Sequence, residues 1–304
     1  MRGGRYDVVG SGPDEPDPRR ERLRRALAVG GAAVVVIGFG VYQAQRPDPP
    51  EPAPTRGPVV TPTVEAAAAG RNAVFPAARR RGDTEIVRVT FPDGVSAELR
   101  YPRSLAVASL GASPVVGAWL GTDMTTYRQL VAPPRGEASL AEGGSRIRDM
   151  TPTVSLWPSA PYVPLGGHVL LFEFGRWRMA LHDVDEGLTF EQRMEWARNL
   201  RGRVTRDGFL VLRADGPLRL APAGKRMGSE LAGPQLHFGA GSRDRQVWIV
   251  RQPGCRGVED PPMRLVSLNR PYAGRCRGDF YLAAAGDLPF VQAVVRNLRV
   301  RRVA

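Results

Sequence analysis

From Ala26 to Tyr42 no charged or strongly polar side chain interrupts the chain, and the stretch Ala26–Ala44 reads ALAVGGAAVVVIGFGVYQA. A helix rises about 1.5 Å per residue, so this stretch is long enough to cross the hydrocarbon core of a bilayer. It predicts one membrane-spanning helix over residues 26–44. The segment that follows, RPDPPEPAPTRGP and then an alanine run, changes the pattern. Proline fixes φ and removes backbone donors, so residues 45–82 are expected to form an extended linker.

From Asp83 onward short apolar runs are bounded by Gly and Pro, the signature of strands. TEIVRVTF and VSAELRYP, split by Pro92-Asp93-Gly94, predict a hairpin. VVGAWL, YRQLVA, TVSLW, HVLLFEF and RWRMALHD predict further strands, and Leu188–Leu200 then predicts a helix. Thr189 and Gln192 stand at capping-box spacing, and Phe190, Met194, Ala197 and Leu200 fall on one face. The strand pattern resumes with FLVLRA, LRLA, QLHFG, RQVWIV, MRLVSL and DFYLAAA. A last helix is expected after Asp287 as N-cap, with Pro289 in its first turn.

The two series read as one design used twice. Asp93-Gly94 is matched by Asp207-Gly208, and Leu120-Gly121 with Arg128-Gln129-Leu130-Val131 by Phe238-Gly239 with Arg245-Gln246-Val247. Val154-Ser155-Leu156 with Pro161-Tyr162 recurs as Val266-Ser267-Leu268 with Pro271-Tyr272, and Arg198-Asn199-Leu200-Arg201 as Arg296-Asn297-Leu298-Arg299. The expected fold class is α+β, with two similar, mainly antiparallel units at 83–205 and 206–304, each ending in a helix.

Charge sets the topology. Arg19, Arg20, Arg22, Arg24 and Arg25 precede the apolar run, and only Arg46 follows it closely. The positive-inside rule then places residues 1–25 in the cytoplasm and the rest beyond the plasma membrane. A cleaved signal peptide is the rival reading. Cleavage after Ala44 would put bulky Tyr42 where a small residue is needed, which favours an uncleaved anchor. The net charge is +13, and the first 25 residues, with seven arginines against five acids, hold only two units of it. The exported part is therefore strongly basic, almost wholly through arginine, since Lys225 is the only lysine. Such a field draws anionic surfaces or wall polymers. Nucleic acid is not expected, because the compartment is wrong and no aromatic-basic motif occurs.

Little in the sequence suggests catalysis. Cys255 and Cys276 are the only cysteines, both on the exported side, and predict a disulfide rather than a metal site. His237 and Cys255 invite a cysteine-nucleophile reading, but Gln252-Pro253-Gly254-Cys255 lacks the Ser/Thr-His-Gly run of wall transpeptidases. His182-Asp183 with Asp185 and Glu186 is the one polar cluster suited to a cation, yet no calcium-loop pattern surrounds it and acids near a helix start serve capping. No catalytic residue, metal site or cofactor is assigned. Tyr162 and Tyr272, each after a proline in a loop of its copy, form a candidate ligand surface together with His182, Asp183 and Asp185. The expectation is a single-pass bacterial envelope protein whose extracytoplasmic domain binds another envelope protein or an anionic wall component without catalysis. The alternative is a wall hydrolase or transpeptidase with an atypical site, centred on His237 and Cys255 or on His182 and Asp183.

Overall fold

Strand β1 (Ala78–Arg81) leads into the hairpin of β2 (Thr84–Thr90) and β3 (Ser96–Pro102), whose turn falls at Pro92-Asp93-Gly94. Gly94 sits at φ +85°, where glycine carries no Cβ penalty, and its N–H reaches the Phe91 carbonyl at 2.9 Å. The computed structural model describes residues 72–159, 167–183, 187–242, 244–256 and 270–303, all within one compact unit. Residues 26–44 and the tail before them, Tyr162, Asp185 and the run MRLVSL lie outside the described residues. Among the described residues no helix is long and apolar enough to cross a membrane.

After the hairpin come β4 (Ala112–Leu120), β5 (Asp123–Val131), β6 (Arg148–Thr151), β7 (Val154–Pro158), β8 (His168–Phe174) and β9 (Trp177–Asp183). Helix α1 (Phe190–Asn199) starts on the predicted capping box: the Gln192 amide N–H donates to Thr189 Oγ1 at 3.3 Å, and Gln192 Oε1 accepts from the Thr189 N–H at 2.8 Å. Next are β10 (Leu200–Val204), β11 (Leu210–Ala214) and β12 (Leu218–Leu220), with Gly208 again at φ +85° in the turn between β10 and β11. Two short pieces, β13 (Arg226–Met227) and β14 (Glu230–Leu231), precede β15 (Gln235–Phe238) and β16 (Gln246–Arg251). The chain closes with β17 (Tyr272–Arg277), β18 (Phe280–Ala285), helix α2 (Leu288–Asn297) and β19 (Arg299–Val303). Asp287 caps α2 through the Phe290 amide at 2.7 Å.

The architecture is rich in antiparallel β-structure with few helices, an α+β arrangement. Its main sheet has the order β17-β18-β16-β15-β4-β5-β9-β8-β7-β6, with β12 pairing the far end of β4 beside β15. Residues 83–205 and 206–304 thus share one sheet, joined where β4 pairs β15, and neither half keeps a bare edge there. Strand order repeats outward from that seam: β4, β5, β9, β8 on one side and β15, β16, β18, β17 on the other.

Both faces of this sheet are covered. On β18, Phe280, Leu282 and Ala284 enter the main core with α2, while Tyr281, Ala283 and Ala285 join a second cluster with Trp248 and Leu231. On β8, Leu170 and Phe172 face the main core, while Val169 and Leu171 pack with Trp157 and Leu140. Strands buried on both sides read as continuous apolar runs, which is why FYLAAA and VLLF lack alternation.

The second sheet, β1-β2-β3-β19, has the opposite character. Val87, Val89, Ala97 and Leu99 alternate into the core, and the residues between them face solvent. Folded structure also begins before Asp83. Asn72 is buried, its amide donates to the carbonyls of Pro133 (3.0 Å) and Arg178 (2.6 Å), and its Oδ1 accepts from the Arg178 N–H at 3.1 Å. Residues 72–82 therefore belong to the fold rather than to the linker. One polar side chain bonded to distant backbone leaves no hydrophobic pattern to read.

Candidate functional site

Asp183, at the end of β9, is 2 % exposed, and both its carboxylate oxygens are taken. Oδ1 accepts from Arg128 Nε (3.3 Å) and Nη2 (3.1 Å), and Oδ2 from Arg193 Nε (3.1 Å) and Nη2 (2.8 Å). The Leu188 N–H donates to both oxygens at 2.8 and 2.9 Å. One carboxylate thus ties β5, β9 and α1 together, and two guanidiniums occupy the place a cation would need. Arg193 Nη2 also lies 3.4 Å from His168 Nδ1. Among the described residues no group of three or more His, Cys, Asp or Glu is placed to hold a metal.

Cys255 and Cys276 form a disulfide across 5.5 Å between Cα atoms, so the cysteine nucleophile of the enzymatic alternative is absent. His237 stacks on Trp248 with ring centroids 4.1 Å apart. Of the candidate tyrosines, Tyr272 opens β17 and is exposed, whereas Tyr162 lies outside the described residues. His182 is half-buried opposite Val169.

A different surface emerges from the register of the second sheet. Arg79 pairs with Ile86, Ile86 with Arg100, and Arg100 with Arg299, giving one row across four strands. The neighbouring row holds Arg88, Glu98 and Arg301, and Arg81 stands beside Thr84 at the other flank. Side chains two apart on a strand share a face, so six arginines (79, 81, 88, 100, 299 and 301) project from one side of this sheet. All six residues are exposed. Among the described residues Glu98 is the one outward-facing acid on these strands; it lies 2.7 Å from Arg100 and 3.7 Å from Arg301. Glu85, the other acid of β2, is buried on the inner side, 3.9 Å from Arg80. Burial, with Glu85 nearby, holds the Tyr101 phenol well above its ordinary range, and so it stays neutral beneath this surface.

Two hollows open on this face and share Ile86 in their walls. The first, about 530 Å³, is lined by Arg81, Arg100, Arg299, Thr84 and Asn297 among others. The second, about 520 Å³, is lined by Arg79, Arg88 and Arg301 with Phe75, Phe209 and Val303, and by the acids Glu98 and Asp207. Positive charge is also crowded around β19, which carries Arg299 and Arg302. Burial, then Arg299 and Arg275, lower the Arg277 pKa, and burial, then Arg302, lower that of Arg251. The arrangement gathers six guanidiniums on one exposed sheet face, a geometry suited to planar, paired contacts with oxyanions.

Sequence reasoning registered the basic charge but not its address. The available signal was the alternation in TEIVRVT and SAELRYP, where Arg88 and Arg100 take outward positions beside inward Val87, Val89 and Leu99. Comparison with protein-family models, with curated proteins and with solved structures found no match to this chain.

Proposed function

We propose that this chain is a single-pass envelope protein that binds an anionic component of the envelope, without catalysis, through the arginine face of β1, β2, β3 and β19. Residues 26–44 anchor it in the plasma membrane with residues 1–25 in the cytoplasm, and the chain from residue 45 to the start of the fold is a tether. The observation that carries the binding role is the set of six outward arginines on four strands, against Glu98 and Asp207 as the acids lining the hollows. Support for an exported domain comes from the apolar run of 26–44 with its arginine-rich flank, and from the Cys255–Cys276 disulfide, which suits an oxidising compartment. A tandem duplication accounts for the ordered recurrence of sequence motifs and for the strand order that repeats outward from the β4–β15 seam.

The test uses the full-length chain in nanodiscs of zwitterionic lipid, mixed with purified cell-wall sacculi that retain their anionic polymers. Co-sedimentation that falls steeply as salt rises supports the reading, since exposed arginine–anion contacts are screened. Sedimentation that ignores salt, or that survives Arg100→Glu with Arg299→Glu, overturns it. In-cell crosslinking of the same variants distinguishes a protein partner, which would be recovered without wall polymer.

A further inference from the structure

We infer that the ligand of the arginine face is a linear polyol- or sugar-phosphate polymer, gripped by at least two successive phosphodiesters, one in each hollow; this rests on the anion-binding reading above. Each hollow presents three guanidiniums: Arg81, Arg100 and Arg299 in the first, and Arg79, Arg88 and Arg301 in the second. Two strands supply one arginine to each hollow from positions two apart, Arg79 and Arg81 on β1 and Arg299 and Arg301 on β19. Strand geometry separates such positions by roughly 6.8 Å along the sheet. The face therefore expects anions that recur at a short, regular interval, joined by an uncharged linker that passes over Ile86. A lone carboxylate or a single phosphate would engage half of it.

The choice of phosphate follows from the guanidinium arrangement. Arg100 and Arg299 stand directly opposite each other on paired strands, a like-charge contact that costs stability unless an anion bridges it. A phosphodiester offers two charged oxygens that planar guanidinium forks grip in pairs. Glu98, 2.7 Å from Arg100 and 3.7 Å from Arg301, is the acid an incoming anion must compete with. Thr84 and Asn297 supply hydroxyl and amide groups for linker hydroxyls, and Phe75, Phe209 and Val303 give carbon surface for its CH groups. Single-stranded nucleic acid has the same backbone chemistry but is held through aromatic stacking platforms. The exposed large apolar side chains among the described residues are Ile147, Phe190, Tyr272 and Leu288, none of them on this face, where Phe75 is half-buried and Phe209 buried.

The experiment titrates full-length protein in zwitterionic nanodiscs with fluorescent glycerol-phosphate oligomers of increasing length. Oligo-deoxythymidine, polyglutamate and anionic phospholipid vesicles are run in parallel. Affinity should rise by at least about tenfold when a second phosphodiester is added, because the second contact is intramolecular. Arg299→Gln with Arg301→Gln should erase that step with the melting temperature unchanged, while Arg201→Gln with Arg213→Gln, on β10 and β11, should retain it. Equal binding of polyglutamate, tighter binding of oligo-deoxythymidine or of vesicles, or the lack of a length step would each overturn the polymer assignment and leave the anion face intact. Failure to bind any polyanion would overturn the face itself.

Discussion

Arginine does two different jobs in this molecule. At Asp183, Arg128 and Arg193 are drawn out of solvent, their guanidiniums spent on one carboxylate that joins two strands to a helix. On the outer side of β1, β2, β3 and β19, six arginines are exposed with Glu98 among them and Asp207 in the adjoining hollow, and one arginine pair is set directly opposite. The first arrangement is closed and neutralised as far as a single carboxylate allows, so its energy is spent on the fold. In the second, adjacent positive charges oppose the fold slightly and outnumber the acid beside them. Burial and partner count, rather than residue type, separate the arginines that tie elements together from those that stand outward.

The sharpest way to break this comparison is Asp183→Ala. It removes the carboxylate that buried Arg128 shares with Arg193 and should cost about 3–5 kcal/mol, read as a lower urea midpoint. A loss below about 1 kcal/mol would mean that the cluster does not hold the fold. Opening the disulfide with Cys255→Ser and Cys276→Ser is the matched control. It should lower stability by about 3 kcal/mol on the chain-entropy argument while leaving every charge in place. Salt-sensitive polyanion binding should then persist at temperatures below the shifted melting point. If binding vanishes with the fold still intact, the face depends on more than its arginines.

Changes on the face itself should act in the reverse sense. Arg299→Gln should alter stability by no more than about 0.5 kcal/mol, toward greater stability, because a like-charge pair is relieved. It should also weaken anion binding, as seen by isothermal titration calorimetry. Glu98→Gln should strengthen anion binding and steepen its salt dependence, at a stability cost under about 1 kcal/mol because the ion pairs it removes are solvent-exposed. The smallest effect concerns an exposed arginine that has an acid of its own. Asp287 is held below its ordinary value, chiefly by the Phe290 amide, with burial opposing and Arg245 assisting. Because the folded pKa is the lower one, the cap's contribution is complete above the unfolded value of about 3.9 and is lost as pH falls through the folded value. Melting curves taken downward from pH 5 should show this loss, and Asp287→Asn should flatten it.

Local grammar made much of the fold legible. Thr189 with Gln192 marks the start of α1, Asp287 with Pro289 marks α2, and Asp93-Gly94 and Asp207-Gly208 mark two turns. Each signal is complete within a few residues. What could not be read depends on pairing between distant segments. RVRRV after α2 carries two valines among arginines, too short a pattern to declare a strand until β3 supplies its partner. Asp183 could pass for part of a cation cluster because Arg128 reaches it only through the pairing of β5 with β9. The histidine and cysteine that suggested a nucleophile are each engaged by a neighbour, Trp248 and Cys276, that proximity in sequence did not identify.

The fourth strand of the arginine face comes from far along the chain: β19 meets β3 about two hundred positions away, a contact of the kind that forms late in folding. Until the intervening segments have settled, the six arginines are scattered over separate stretches and no shared surface exists. The shared surface is thereby a product of complete folding, assembled only as this last pairing closes.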